Sequence, residues 1–191
     1  LMLQLHQKAA PHAASAVQRF FVDLAANRPI TYSNSRSLER DYGWRGLCID
    51  GHAGMLPELA RQRTCAVVYA IVSDEADRPV RFRSFSGAPW HGQPLHAMSG
   101  IVAAGMSNRQ DNRTCWGVGK SRPCVSTSWT AGMREERRLT VTLAAVLRHL
   151  RAPRTIDFLS LDVEGAEESV LLRFPFDEWQ FRVLSIERPS D

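Results

Sequence analysis

Short, uninterrupted apolar runs separated by segments of helical spacing limit the fold of this chain more than any other feature. Three such runs occupy residues 20–25, 46–50 and 66–72. Runs of roughly four to eight apolar residues without alternation are typical of strands that are buried on both faces, as in a parallel sheet. The first half of the chain is therefore predicted to supply three neighbouring parallel strands.

Two short helices are predicted between these runs. One covers residues 35–42 and is followed by Gly43, because a glycine past a helix end supplies the left-handed position that closes the helix. The other covers residues 56–63, where Pro57 fits the first turn because its missing N–H costs nothing there. Residues 20–72 are thus predicted to fold as βαβαβ, the order of one half of a Rossmann-like sheet.

The C-terminal part of the chain repeats the pattern. Thr142 is predicted to cap a helix whose apolar residues recur with helical spacing and which ends before Pro153. Strands are predicted at residues 156–163 and 183–187, with a short helix at Glu167–Leu172 between them. The predicted fold class is therefore α/β, with a mostly parallel sheet in a Rossmann-like sandwich.

The remaining segments carry weaker signals. Residues 80–85 alternate between apolar and polar and are predicted to form an antiparallel strand. Residues 86–137 show no clear periodicity and are predicted to be an irregular insertion, and residues 1–19 an N-terminal extension. We expect a single domain over residues 1–191, because the chain has the length of one ordinary domain.

Composition excludes several classes of protein. Hydrophobic residues make up 44% and charged residues 23%, which is typical of globular domains. The net charge is +4, but the arginines are scattered and form no patch, which disfavours nucleic-acid binding. No window is apolar enough to span a membrane and no secretory signal is visible, so we expect a cytoplasmic location.

The four cysteines form no Cys-x-x-Cys pair that would indicate zinc or a redox site. Cys48 and Cys65 lie in or beside apolar runs and are interpreted as small buried hydrophobic residues. Cys115 and Cys124 flank a polar segment, and whether they pair is left open because the sequence does not require it.

Polar side chains lie in or directly after all five predicted parallel strands. In open parallel sheets, ligands bind beyond the carboxyl ends of the strands, so these side chains are candidates for one site. Because carboxylates are costly to desolvate, their clustering suggests hydroxyl or cation ligands. The candidates are Asp23, Asn27, Asp50, Ser73, Asp74, Asp162, Glu164 and Glu187.

Asp50 is the most interpretable of these residues. An acid that ends the second strand of such a unit accepts hydrogen bonds from the ribose hydroxyls of a nucleotide cofactor, although an acid near a helix N-terminus also favours the helix dipole. The first strand-to-helix turn lacks the Gly-x-Gly-x-x-Gly pattern, which counts against NAD or FAD. S-adenosylmethionine, which has no phosphates, needs less from this turn. His52 is a further candidate for lining the pocket.

The segment from Asp162 to Glu167 is the sharpest local feature. Asp162 and Glu164 lie on the same side of an extended chain, where they could orient a substrate hydroxyl, act as a general base or hold a divalent ion. We predict no metal site, because no histidine or asparagine is placed beside them. Glu167 is expected either to join this group or to cap the following helix.

Several motifs resemble the FkbM-type methyltransferases in the order in which that family has them. The resemblance covers about residues 20–85 and 138–189. It is carried by FVDLAAN (21–27), SNSRSLERDYGWRGLCID (33–50), TIDFLSLDVEGAE (155–167) and FPFD (174–177). It implies a class I, Rossmann-like fold and S-adenosylmethionine-dependent methyl transfer, typically to a hydroxyl oxygen of a sugar or natural product.

The resemblance also implies a role for each candidate. Asp23, Ala25 and Asn27 would flank the methionine part of the cofactor and Asp50 would bind its ribose. Ser73 and Asp74 would lie near the adenine. The catalytic group at the methyl-transfer site would be Asp162, Glu164 and Glu187.

Two departures from the family pattern keep alternatives open. Ala25 and Pro29 replace the two glycines of the first turn and Arg28 replaces an acid, so a degenerate, non-catalytic methyltransferase-like binding module is the alternative function. The antiparallel hairpin that usually follows the fifth strand is missing. The sheet edge is then either incomplete or completed by a partner such as a second copy of the chain.

Overall fold

The computed structural model describes residues 5–6, 18–86, 99–102 and 132–187. Within them, four short helices and thirteen strands follow one another. In chain order they are β1 (Leu5–His6), β2 (Phe20–Leu24), α1 (Arg36–Tyr42), β3 (Arg45–Asp50), α2 (Leu56–Gln62), β4 (Ala66–Tyr69), β5 (Val72–Ser73), β6 (Pro79–Phe85), β7 (Gly100–Ile101), β8 (Met133–Leu139), β9 (Val141–Thr142), α3 (Leu143–His149), β10 (Thr155–Ile156), β11 (Phe158–Leu161), α4 (Glu167–Leu172), β12 (Gln180–Phe181) and β13 (Leu184–Ile186).

The predicted mostly parallel sheet is confirmed. Its order is β1-β4-β3-β2-β11-β13, and every neighbouring pair is parallel except β1 with β4. The chain leaves β2 toward β3 and β4 on one side, then returns to β11 and β13 on the other. The strand order therefore reverses between β2 and β11, which is the place where sheets of this kind bind ligands.

Alternation along the strands builds a core on each face of the sheet. Val22 of β2 and Ile49 of β3 join one buried cluster, which includes the apolar side of α3. Phe21 of β2 joins the other cluster, with Leu56 and Leu59 of α2. Helices thus cover both faces, which gives the three-layer sandwich that the apolar runs predicted.

Both predicted helix signals are present. Gly43 has a φ of 66° and its N–H donates to the Glu39 carbonyl of α1 at 3.2 Å, so it ends that helix in the left-handed conformation. Thr142 accepts a hydrogen bond through Oγ1 from the Ala145 N–H at 3.1 Å, which caps α3.

The interpretation of Cys48 and Cys65 as unpaired buried residues is wrong, because they form a disulfide. Their Cα atoms are 5.9 Å apart and both side chains are buried. Cys48 is in β3 and Cys65 directly precedes β4, and the parallel pairing of these strands brings the two cysteines together. Cys115 and Cys124 lie outside the described residues.

A second, three-stranded antiparallel sheet in the order β7-β6-β8 is attached to the main sheet. It confirms the antiparallel strand predicted at residues 80–85. However, β7 and most of β8 fall within residues 86–137, so the prediction of irregular structure is wrong for these two strands. Strand β8 reads Met-Arg-Glu-Glu-Arg-Arg-Leu, and its charges on both faces hide the alternation that would identify a strand.

Two further boundaries differ from the prediction. The third predicted strand ends at Tyr69, and Val72–Ser73 pairs instead with β9. Strand β1 lies inside the predicted N-terminal extension and forms one edge of the main sheet. Among the described residues, β11 is the single neighbour of β13 at the other edge. No helix in the described part of the chain is long and apolar enough to cross a membrane.

Candidate active site

A cavity of about 250 Å³ opens at the carboxyl ends of β2, β3 and β11, where the strand order reverses. Parallel strands deliver their last residues to the same edge, so side chains distant in sequence meet here. The lining includes six of the nine predicted site residues: Ala25, Asn27, Asp50, Asp162, Glu164 and Glu187.

Asp50 is held by the backbone on both of its oxygens. Oδ2 accepts from the Asn27 N–H at 2.7 Å, and Oδ1 accepts from the His52 N–H at 2.6 Å. Burial raises the pKa of this carboxyl, and the two backbone hydrogen bonds oppose that rise. A carboxylate has about four lone-pair positions, so this fixed group can still accept from two adjacent hydroxyls in the cavity.

The turn after β2 adopts a glycine-like conformation without glycine. Ala25 has a φ of 66° and Asn27 a φ of 51°. Hydrogen bonds from the Ala25 and Ala26 N–H groups to the Ile49 carbonyl, at 2.9 and 3.1 Å, hold the turn in place. The Asn27 Oδ1 atom is buried and accepts no hydrogen bond from the described residues. A buried acceptor without a partner calls for a donor from a ligand or a water.

The opposite end of the cavity is apolar. It is lined by Ala70, Ile71 and Val72 after β4, and by Phe82 of β6 and Ile101 of β7. Phe82 approaches the end of β3 so closely that a Cβ atom at Gly51 would lie 2.9 Å from its ring. The antiparallel sheet therefore supplies an aromatic wall to the site. This contribution could not be predicted from the sequence, because a single alternating strand does not reveal where it docks.

Three carboxyl groups, those of Asp162, Glu164 and Glu187, line the cavity beside β11. A side-chain hydrogen bond with Asp162 raises the pKa of Glu187 to about 8, with smaller contributions from burial and from the nearby acids. The Glu187 carboxyl therefore holds its proton to a higher pH than an ordinary glutamate, because a hydrogen bond and like charges disfavour its ionised form.

Glu167 caps the loop that carries these acids. Its Oε1 accepts from the Val163 N–H at 2.7 Å and from the Gly165 N–H at 3.2 Å. Carboxylate oxygens of Asp162, Glu167 and Glu187 lie within 4.8 Å of one another, and these three side chains could ligate a cation. Glu167 uses one oxygen on the loop before α4 and provides no side-chain cap to that helix, so the expectation that it caps the following helix is wrong, and its place among the three acids agrees with the other expectation.

The other three predicted site residues do not line the cavity. Asp23 is buried behind it and accepts a short hydrogen bond from the Ser35 hydroxyl. Burial raises the pKa of Asp23 to about 6, against the opposing effects of Ser35 and Arg63. Ser73 and Asp74 contact the Arg78 guanidinium instead, at 2.6 and 2.8 Å.

The hypothesis that His52 lines the pocket is wrong. Its Nδ1 accepts from the Gly54 N–H at 3.0 Å, so its Nε2 is the protonated nitrogen and donates to the Phe85 carbonyl at 2.9 Å. The imidazole is buried and joins the loop after β3 to the end of β6. This connection helps to hold the antiparallel sheet against the site.

The comparison with protein families gives one match, to the methyltransferase FkbM domain, over residues 23–190. Comparisons with curated proteins and with solved structures give no significant match. The match covers most of the chain and includes every residue of the cavity described above. With its Rossmann-like sheet and its site at the strand reversal, the chain belongs to the FkbM methyltransferase domain family.

Proposed function

We propose that this chain is an S-adenosylmethionine-dependent O-methyltransferase that acts on a hydroxyl of a sugar or small natural product. The observation that carries the proposal is Asp50, fixed by two backbone N–H groups at the cavity where the strand order reverses. The family supports methyl transfer in general. The hydroxyl acceptor is the finer proposal, and it rests on the chemistry of the neighbouring acids.

The lining fits the three parts of S-adenosylmethionine. Asp50 would accept from the ribose hydroxyls, and the unpartnered Oδ1 of Asn27 would accept from the ammonium group of the methionine part. Ile71 and Phe82 would enclose the adenine between an aliphatic and an aromatic side chain. Ser73 and Asp74, predicted to lie near the adenine, do not line the cavity, whereas their neighbour Val72 does.

The acids beside β11 would serve the acceptor. When bound, S-adenosylmethionine supplies a methyl group on a positively charged sulfur. Asp162 and Glu187 would bind the acceptor hydroxyl and take its proton as the oxygen–methyl bond forms and the sulfur–methyl bond breaks. Glu164 would orient the acceptor from the same rim. This catalytic assignment favours neutral or cationic acceptors, because an anionic acceptor would be repelled by the carboxylates.

A specific observation favours a second candidate, a non-catalytic methyltransferase-like binding module. Ala25 occupies a left-handed position that glycine adopts without strain, and its methyl group lines the cavity. That methyl group takes up room beside the cofactor's methionine part. Under this alternative, the chain would keep the fold and lose the cofactor.

Isothermal titration calorimetry with S-adenosylhomocysteine separates the two candidates. Binding by the wild-type chain in the micromolar range, abolished by Asp50→Ala and weakened by Phe82→Ala, would support the enzyme. Phe176→Ala is the matched control for Phe82→Ala, because Phe176 is exposed and does not line the cavity. Absence of binding by a chain that is folded by circular dichroism would support the binding module.

A screen for acceptors tests the chemistry. Release of S-adenosylhomocysteine is measured with sets of neutral glycosides, amines and carboxylic acids in the presence of S-adenosylmethionine. We expect turnover with hydroxyl acceptors, lost in Glu187→Gln without loss of cofactor binding. Turnover confined to amines or acids would contradict O-methylation.

A further inference from the structure

The guanidinium of Arg63 is buried immediately after α2, where its side chain is 1% exposed. Burying such a charge is costly unless each donor finds an acceptor. Arg63 donates from Nε to Glu39 at 2.8 Å, from Nη1 to the Ser33 hydroxyl at 2.8 Å and from Nη2 to the Ser35 hydroxyl at 2.9 Å. The planar fork thus binds three side chains of one segment, a geometry that lysine cannot reproduce.

That segment forms a wall of the cavity. Tyr32 and Asn34 line the cavity, and they alternate with Ser33 and Ser35, which point back to Arg63. Residues 32–35 precede α1 and belong to no strand, so no backbone ladder fixes them. Besides Arg63, the wall is held from β2 and β11 by the Ser35–Asp23 hydrogen bond and by the Asn34 Nδ2 donation to Ser160 Oγ at 2.9 Å.

Arg63 is itself well fixed. Glu39 completes the contact by accepting from the Thr64 N–H through its other oxygen. The next residue is Cys65, which the disulfide ties to β3. The guanidinium carbon lies 5.9 Å from the centre of the Phe21 ring, which adds a cation–π contact from the sheet. Arg63 is therefore anchored to β3 through the neighbouring disulfide and to β2 through Phe21.

We propose that Arg63 is a positioning residue that holds residues 32–35 as a preformed wall of the ligand cavity. It lines no part of the cavity and would touch neither cofactor nor acceptor. The part of the inference that concerns ligand binding rests on the proposed function. The part that concerns the placement of residues 32–35 in the free protein rests only on the contacts of Arg63. When residues 32–35 are displaced in a fraction of the molecules, only the remaining fraction can bind ligand. The measured affinity is then reduced in proportion to that remaining fraction.

The test compares amide hydrogen exchange of the free protein in wild type, Ser33→Ala, Arg63→Lys and the control Ser37→Ala. Ser33 is half-buried and its substitution removes a single hydrogen bond to Arg63, whereas Ser37 is exposed on α1. Losing a hydrogen bond to a charged group corresponds to about tenfold in local opening. We expect exchange of the Glu39 amide, which donates to the Ser35 carbonyl of the wall at 3.2 Å, to rise about tenfold in Ser33→Ala and further in Arg63→Lys, with Ser37→Ala unchanged.

The same four proteins are titrated with S-adenosylhomocysteine. We expect the dissociation constant to rise in Ser33→Ala, and further in Arg63→Lys, by the factor by which the population of molecules with the wall in place falls, with Ser37→Ala unchanged. A fall in the free energy of unfolding without that rise would indicate a merely structural role. If the wild type binds no ligand, the proposed function fails, while hydrogen exchange still decides whether Arg63 holds the wall. Unchanged exchange of the Glu39 amide in Ser33→Ala overturns the proposal, even if Arg63→Lys does not fold.

Discussion

Reduction of the Cys48–Cys65 disulfide is expected to cost the fold about 3 kcal/mol. The two cysteines are 17 positions apart in sequence. In the chain-entropy description, a cross-link that closes a loop of that length removes about 3 kcal/mol of conformational freedom from the unfolded chain. For a chain of this size, that loss lowers the melting temperature by about 6–12 °C.

Reduction isolates this effect better than substitution. Both cysteines are buried, at 0% and 4% exposed, so replacing them with alanine also removes packed atoms and leaves a cavity. Cys48→Ala/Cys65→Ala is therefore expected to be less stable than the reduced wild type. Its stability should not respond to reductant.

The assay is urea unfolding followed by circular dichroism, with and without a phosphine reductant. Cys115 and Cys124 are replaced by serine in every protein, so that reductant acts on a single pair. A change below about 1 kcal/mol on reduction would refute the loop-closure reasoning. Two free thiols in the denatured, unreduced protein would refute the disulfide itself.

Four further changes are predicted. Thr142→Ala removes the cap of α3 and should lower the free energy of unfolding by about 1 kcal/mol in urea unfolding. Ala25→Gly should raise it by about 0.5–1 kcal/mol, since relief of left-handed strain outweighs the added freedom of the unfolded chain; a loss would contradict the turn geometry. Burial raises the pKa of Asp23 from 3.8 to about 6 in the folded state, so its contribution to the free energy of unfolding should fall as the pH rises from about 4 to about 6. Urea unfolding at a series of pH values should show this fall in the wild type and not in Asp23→Asn. Asp162→Asn removes the partner that raises the pKa of Glu187, so the pKa of Glu187 should drop from about 8 toward the ordinary value of 4.5. A carboxyl NMR titration measures it, and an unmoved pKa would exclude Asp162 as the cause.

The sheet and its ligand edge could be predicted from sequence because both depend on local patterns. Strands buried on two faces must be mostly apolar, and β2, β3 and β4 are, with Asp23, Arg45 and Asp50 as their only charged residues. The carboxyl end of a parallel strand is likewise readable as the first polar residue after an apolar run. Asp50 and Asp162 follow that rule, and the structure brings them to one cavity.

The missed features depend on contacts between distant segments. Predicting the disulfide would have required the register of β3 against β4, which apolar runs do not specify. Predicting the aromatic wall at Phe82 would have required knowing where the second sheet docks. Its strand β8 carries five charged residues out of seven, which hides it as a strand. Arg63 looked like one more scattered arginine, because its acceptors in residues 33–39 lie a whole helix and strand away.

The disulfide also bears on where the protein folds. Buried disulfides form and persist in oxidising compartments and are rare in the cytosol. The Cys48–Cys65 pair is therefore a reason to test the cytoplasmic location expected from the sequence, which stays a prediction.

A crystal structure of the chain with S-adenosylhomocysteine tests the cofactor site most directly. The ribose hydroxyls are predicted to bind Asp50, the amino group to lie at Asn27 Oδ1, and the adenine to lie against Phe82. The sulfur should then face Asp162 and Glu187 from within the cavity. A ligand bound elsewhere, or an empty cavity at saturating ligand, would contradict the proposed methyl transfer at this site.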